Sequence, residues 1–341
     1  MFSRNQIADH ITAGWLRVQK HPTASLYIYN YTAAAQYEGK WDEITLACRG
    51  LILNDQLNII ARPFAKFFNL GEREEEVIPN ETFEVYEKMD GSLGILYWLN
   101  EKPYIATRGS FNSEQALFAT DLLHNKYAGA IEHLDKNKTY LFEIIYPENR
   151  IVLDYGDRKE LVLLAIVDNA SGKELPLVEI GFPLVPKYDG LTDIRSLKAM
   201  EEDNKEGFVI KFKSDLRIKV KFEEYLRIHR IVTNVSNLNI WAALKAGEDL
   251  KELMERVPDE FYNWIKATIA DFKNKFEEIE VICTNDFKIL ESRKETAAYF
   301  QTCRYPAVLF KMLDGKNYND VIWKFLRPVY SRPYFKNEEG N

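Results

Sequence analysis

Up to residue 225 the chain alternates apolar and polar positions over short stretches; beyond it the apolar positions recur at helical spacing. The runs at 26–31, 50–53, 83–87, 93–99, 139–145, 161–167, 207–213 and 216–222 are rich in β-branched and aromatic residues. Turn-forming residues separate them, so each is expected to be a strand. Helical stretches are interspersed, for example 113–127, where Ser113 is placed to cap the first turn. In the last part, 249–256, 259–283, 286–300 and 317–326 read as helices. No internal repeat, low-complexity segment or flexible Gly/Ser linker interrupts the pattern. The expected architecture is α+β: antiparallel sheets with flanking helices over 1–230, followed by a smaller all-α domain over 231–341.

Composition leaves that picture intact. A length of 341 residues suits two domains, and 46% hydrophobic with 28% charged residues is ordinary for a soluble globular protein. The longest apolar run, 161–167, is far too short to span a bilayer, so no membrane association is expected. The first ten residues lack the basic and then apolar pattern of a secretory signal. Cys48, Cys283 and Cys303 form neither a metal-binding spacing nor an even disulfide set. These features place the protein in a reducing cytoplasm, that of the host if the chain is viral, and a monomer is expected.

Charge sharpens one region. A net charge of −7 argues against a surface coated with positive charge for duplex binding. Within 205–230, however, Lys205, Lys211, Lys213, Arg217, Lys219, Lys221, Arg227 and Arg230 outnumber Glu206, Asp215, Glu223 and Glu224. In the 217–222 run, basic and apolar residues alternate. On a strand, Ile218, Val220 and Phe222 face a core while Arg217, Lys219 and Lys221 share the other face. A run of this kind is usually a solvated face. A row of cations is also what binding a polyphosphate and stabilising a leaving pyrophosphate require.

A lysine stands where such a row would be useful. Lys88-Met89-Asp90-Gly91 lies between two predicted strands. Asp-Gly by itself is an ordinary turn pair. A lysine with an ordinary pKa of about 10.4 is a poor nucleophile at neutral pH. Burial or nearby cations disfavour its charged form and activate it. Glu143 sits in an apolar run, where a lone carboxylate is costly unless paired or functional. Glu206 precedes Gly207 at the entry to a predicted strand, and its carboxylate suits a hard divalent cation. Upstream, Arg49 is suited to bidentate phosphate contact. In Lys66-Phe67-Phe68-Asn69 an aromatic ring is available either to stack on a purine or to fill a core.

Taken in order, these pieces resemble a known set. The signposts are Tyr29-Asn30-Tyr31, Cys48-Arg49-Gly50, Arg62-Pro63, Lys66-Phe67-Phe68-Asn69, Lys88-Met89-Asp90-Gly91-Ser92-Leu93 and Arg108-Gly109-Ser110. They continue with Ser113-Glu114-Gln115-Ala116-Leu117, Phe142-Glu143, Asn149-Arg150-Ile151-Val152, Glu206-Gly207, and Lys219 and Lys221 followed by Tyr225. The chain resembles the phage-type RNA ligase 1 family of ATP-dependent RNA ligases, within the covalent nucleotidyltransferases, over about 29–225.

The resemblance implies a nucleotidyltransferase fold with Lys88 as the adenylated nucleophile. It implies phosphate contacts from Arg49, Lys66, Lys219 and Lys221, and nucleotide-binding or catalytic positions at Tyr29, Phe68, Glu143, Val209 and Tyr225. ATP and Mg2+, with Mn2+ as an alternative, are the implied cofactors, Glu206 and Glu143 the implied metal ligands, and single-stranded RNA or broken tRNA ends the implied partner. Arg108 departs from the family pattern, which has lysine there: charge is kept but geometry changes. DNA ligases and GTP-dependent capping enzymes share the lysine motif but normally follow it with a β-barrel domain. A non-catalytic RNA-binding protein retaining the fold is the rival outside enzymes.

Overall fold

The computed structural model describes residues 3–72, 78–197, 200–202, 204–226, 229, 236–248, 250 and 262–329. All of the expected helix at 249–256 but residue 250, the start of that at 259–283, and the basic residues Arg227 and Arg230 lie outside the described residues. The chain divides into two compact units, Met1–His229 and Arg230–Asn341.

Among the described residues the first unit holds three sheets. Strands β1 (Leu16–Lys20), β2 (Leu26–Tyr31), β3 (Arg49–Asn54) and β4 (Ile59–Ala61) form an antiparallel first sheet in that order. The second sheet has the order β11-β10-β9-β7-β8 and is also antiparallel. Its strands are β7 (Ser92–Leu99), β8 (Lys102–Thr107), β9 (Lys138–Ile145), β10 (Glu160–Asp168) and β11 (Glu174–Leu175). The third sheet has the order β12-β6-β13-β14-β5, with only the β14–β5 pair parallel. It comprises β5 (Phe68–Asn69), β6 (Phe83–Glu87), β12 (Lys187–Tyr188), β13 (Gly207–Phe212) and β14 (Arg217–Lys221).

The second sheet is buried on both faces, which is why 139–145 and 161–167 read as nearly unbroken apolar runs. On one face Leu96, Ile105, Phe142, Ile144, Leu161 and Leu163 pack against Ala119 and Leu123 of the helix Glu114–Asn125. On the other, Ile95, Tyr97, Leu141 and Ala165 meet Ile28 and Ile52 of the first sheet. Ser113 accepts a hydrogen bond from the Ala116 N–H, the cap expected from sequence. The outer face of the first sheet is covered by the helices Arg4–Thr12, Ala33–Tyr37 and Glu43–Ala47. The apolar alternate residues of β13 and β14, Phe208, Ile210, Phe212, Ile218 and Val220, form the core of the third sheet.

Every described element of the second unit is a helix: Asn237–Ala246, Tyr262–Asp286, Arg293–Phe300, Pro306–Leu313 and Asn319–Phe325. The helix expected over 286–300 begins only at Arg293. Ser292 and Glu295 form a capping box there, which satisfies the first N–H groups and ends the preceding extended segment. No described helix is long and apolar enough to cross a membrane.

Candidate active site

Lys88 follows β6 directly, and its backbone N–H donates to the Gly207 carbonyl at 2.9 Å. This bond sets the end of β6 beside the start of β13. There the Lys88 Nζ lies 2.7 Å from Glu206 Oε1, and the Lys221 Nζ lies 3.0 Å from the same oxygen. Glu206 is only 2% exposed. The register pairs Gly207 with Lys221, so the antiparallel pair itself brings Lys221 to Glu206. Gly207 has φ +139°, and a Cβ there would lie 2.0 Å from the Val220 carbonyl oxygen. Only glycine permits this approach.

The Lys88 turn is pinned from behind. Asp90 Oδ2 accepts from the N–H groups of Val152 (2.9 Å) and Leu153 (2.8 Å), and Oδ1 accepts from the Tyr225 hydroxyl at 2.9 Å. The Asp90 N–H donates to the Tyr155 hydroxyl at 2.9 Å. Tyr225 is buried, and the Lys221 ammonium sits 5.2 Å from its ring centroid. A Cβ at Gly91 would lie 2.7 Å from the Ile144 carbonyl oxygen, so β9 runs close beneath the turn.

Two carboxylates near Lys88 respond to the site in opposite directions. Burial alone raises the Glu206 carboxyl, but the charges and hydrogen bonds of Lys88 and Lys221 outweigh it and hold the group below its usual range. Glu143, on β9, is pushed up to about 8. Burial is the chief cause; attraction to Lys88 opposes it, the negative charges of Glu206 and Asp90 add to it, and Arg49 opposes it. Lys88, Glu206, Lys221, Glu143, Asp90, Arg49 and Tyr225 therefore belong to one neighbourhood.

On β14 the alternation read from sequence holds: Ile218 and Val220 are in the core, and Lys219 and Lys221 share the opposite face. Val209 is in register with Lys219 and with Tyr86. The row is not the bare cationic face that the alternation suggests, because carboxylates reach it from distant segments. Glu206 takes Lys221, while Glu174 pairs with Lys211 (3.0 Å) and with Arg217.

The upstream set forms an aromatic cage. The buried Lys66 ammonium lies 5.7 Å from the Tyr31 ring, 5.5 Å from Trp41 and 5.2 Å from Phe68. Phe68 is itself buried and packs edge-on against Trp41. The Arg108 guanidinium lies 5.5 Å from the Tyr31 ring and donates to its hydroxyl at 3.4 Å. Arg49 lies 5.8 Å from the Phe67 ring. Tyr29 is buried in the apolar cluster of the first sheet with Cys48 and Leu51, where burial raises its hydroxyl above the usual range. Sequence reasoning did not single out Trp41, Tyr155 or Glu174. Each reaches its partners across long chain separations and carries no local motif.

For a divalent metal the chain's own donors are few. No group of three or more His, Cys, Asp or Glu stands together among the described residues. The two oxygens of Asp90 are taken by backbone and tyrosine donors. Glu206 and Glu143 remain. Two carboxylates fit a metal that completes its shell with phosphate oxygens and water.

The chain is similar to known RNA ligases. Residues 47–180 match the family model for RNA ligase. Over 253 residues the chain is 28% identical to a protein named as a candidate bifunctional polynucleotide kinase/RNA ligase of Autographa californica nuclear polyhedrosis virus; the match covers 65% of this chain and 36% of that protein. Over 208 residues it is 31% identical to a candidate RNA ligase of Thermovibrio ammonificans, covering 56% of this chain and 54% of that one. Over 290 residues it is 23% identical to an RNA ligase of a Rhodothermus phage, covering 62% and 65%. The likeness to RNA ligases carried by the motifs is thus borne out, and the chain spans 36%, 54% and 65% of the lengths of these relatives.

Proposed function

We propose that the protein is an ATP-dependent RNA ligase that joins 5′-phosphate and 3′-hydroxyl RNA ends. The observation that carries this reading is the Lys88 ammonium held, with Lys221, on the buried carboxylate of Glu206 at the mouth of a cationic strand. In the first step the Lys88 Nζ attacks the α-phosphorus of ATP, a P–N bond forms and pyrophosphate leaves. In the second, the AMP passes to the 5′-phosphate of an RNA end and Lys88 is restored. In the third, the RNA 3′-hydroxyl attacks that phosphate, the phosphodiester forms and AMP leaves.

Lys219 and Lys221 act on the phosphates, where preorganised positive charge stabilises the transition state. An incoming triphosphate competes with Glu206 for the ammonium groups and so frees Lys88 from its ion pair. Arg49 and Lys66 supply further phosphate contacts, and Tyr29, Phe68, Arg108, Val209 and Tyr225 border the nucleotide. A divalent metal, Mg2+ or Mn2+, when bound offsets phosphate charge, and Glu206 and Glu143 are the residues to hold it.

Incubation with labelled ATP should give a covalent protein adenylate that withstands alkali and is released by acid, as a P–N bond requires, and Lys88→Ala should abolish it. Label retained in that variant would remove Lys88 as the nucleophile. Replacing ATP by GTP, and RNA ends by DNA nicks, tests the capping and DNA-ligase readings. Sealing of single-stranded, nicked-duplex and cleaved-tRNA substrates identifies the RNA.

A further inference from the structure

We infer that Glu174 is a positioning residue for nucleotidyl transfer, acting through β14 and the 64–68 segment; this rests on the ligase reading above. Glu174 lies on β11, the edge strand of the second sheet, and is only 12% exposed. Its carboxylate accepts from the Lys211 ammonium of β13 at 3.0 Å and from the Arg217 guanidinium of β14. Lys211 and Arg217 are directly opposite in the β13–β14 register, so one carboxylate ties the second sheet to both strands of the third. The Arg217 guanidinium also lies 4.5 Å from the Phe64 ring, two residues before Lys66.

Arg217 shares one face of β14 with Lys219 and Lys221. At about 3.3 Å per residue it stands roughly 13 Å along the strand from Lys221, too far to touch the reacting phosphate. It is nonetheless covalently rigid with that end, because a short paired strand moves as a unit. Well-packed apolar residues would be at least as stable as a buried ion triad. What the charged triad supplies is a fixed register between the sheets. It also holds two cations in place and offsets the charge of one of them, which weakens their competition with the Lys88 end of the face for the phosphates.

The split between KM and kcat separates positioning from bulk stability. Lysyl-adenylate formation is measured over a range of ATP concentrations for the wild type, for Glu174→Gln, and for Glu174→Arg combined with Arg217→Glu, alongside their melting temperatures. Glu174→Gln is expected to lower kcat for adenylation about tenfold with KM for ATP unchanged or lowered. The exchanged pair, which restores an opposite-charge contact, should recover most of the rate. An unchanged kcat in Glu174→Gln, or a loss that simply tracks the unfolded fraction, overturns the inference and leaves the ligase reading standing. A wild-type chain that forms no adenylate overturns both. If Glu174→Gln does not fold, the exchanged pair decides: folded and active supports positioning, folded and inactive or unfolded refutes it.

Discussion

Glu143 and Glu206 are two carboxylates in one neighbourhood with opposite responses to it. Glu206 is held ionised by two lysines, so its contribution to stability is present above its unfolded pKa and fades as pH falls. Glu143, at about 8 against an ordinary 4.5, behaves in the other sense. The folded state binds its proton more tightly than the unfolded chain does, so its contribution is complete below about 4.5 and is lost as pH rises through about 8. Glu143→Gln, which keeps the neutral shape, should flatten the decline of folding stability across that window, as read by urea unfolding at a series of pH values. A slope unchanged by the substitution would show that Glu143 is already ionised at neutral pH.

At the scale of the element, the β13–β14 pair decides the site, and Gly207 decides the pair. Its positive φ and the 2.0 Å approach of a would-be Cβ to the Val220 carbonyl leave no room for any side chain. Gly207→Ala should cost about 4 kcal/mol of folding stability, and adenylation should fall even in the fraction that remains folded. Circular-dichroism melting with labelled-ATP incubation on the same sample checks both. Period-two patterning made β2, β3, β6, β7, β9, β10, β13 and β14 legible, because each buries alternate residues or both faces. β1, β4 and β8 were not singled out, and neither were the two-residue strands β5, β11 and β12, since two residues carry no period.

For the whole molecule, the two units each have an apolar core of their own. That of the second gathers Ile279, Cys283, Phe300, Val308, Leu309 and Ile322. The residues proposed for nucleotidyl transfer all lie in Met1–His229. A fragment ending at residue 229 should therefore fold and form the lysyl-adenylate at close to the full chain's rate, with any loss confined to sealing of RNA ends. Melting of the fragment and separate assays of the adenylation and sealing steps check this; loss of adenylation in a folded fragment would place part of the site beyond residue 229.

The sequence alone determined what short-range pattern can encode. It placed the α+β character of the first part, the strand flanking Lys88 on each side, the division of β14 into apolar and basic faces, and the ordered motifs that resemble RNA ligases. The tertiary structure decided which charges meet. Glu206 lies 118 positions beyond Lys88 in the chain yet accepts from it at 2.7 Å. Glu174 draws Lys211 of β13 and Arg217 of β14 onto one carboxylate, and Trp41 with Tyr31 and Phe68 encloses Lys66. Alternation along a strand fixes the face a side chain takes. The partner it finds there comes from another strand or loop, and only the packing of sheets brings that partner within the few ångströms over which a charge pair acts.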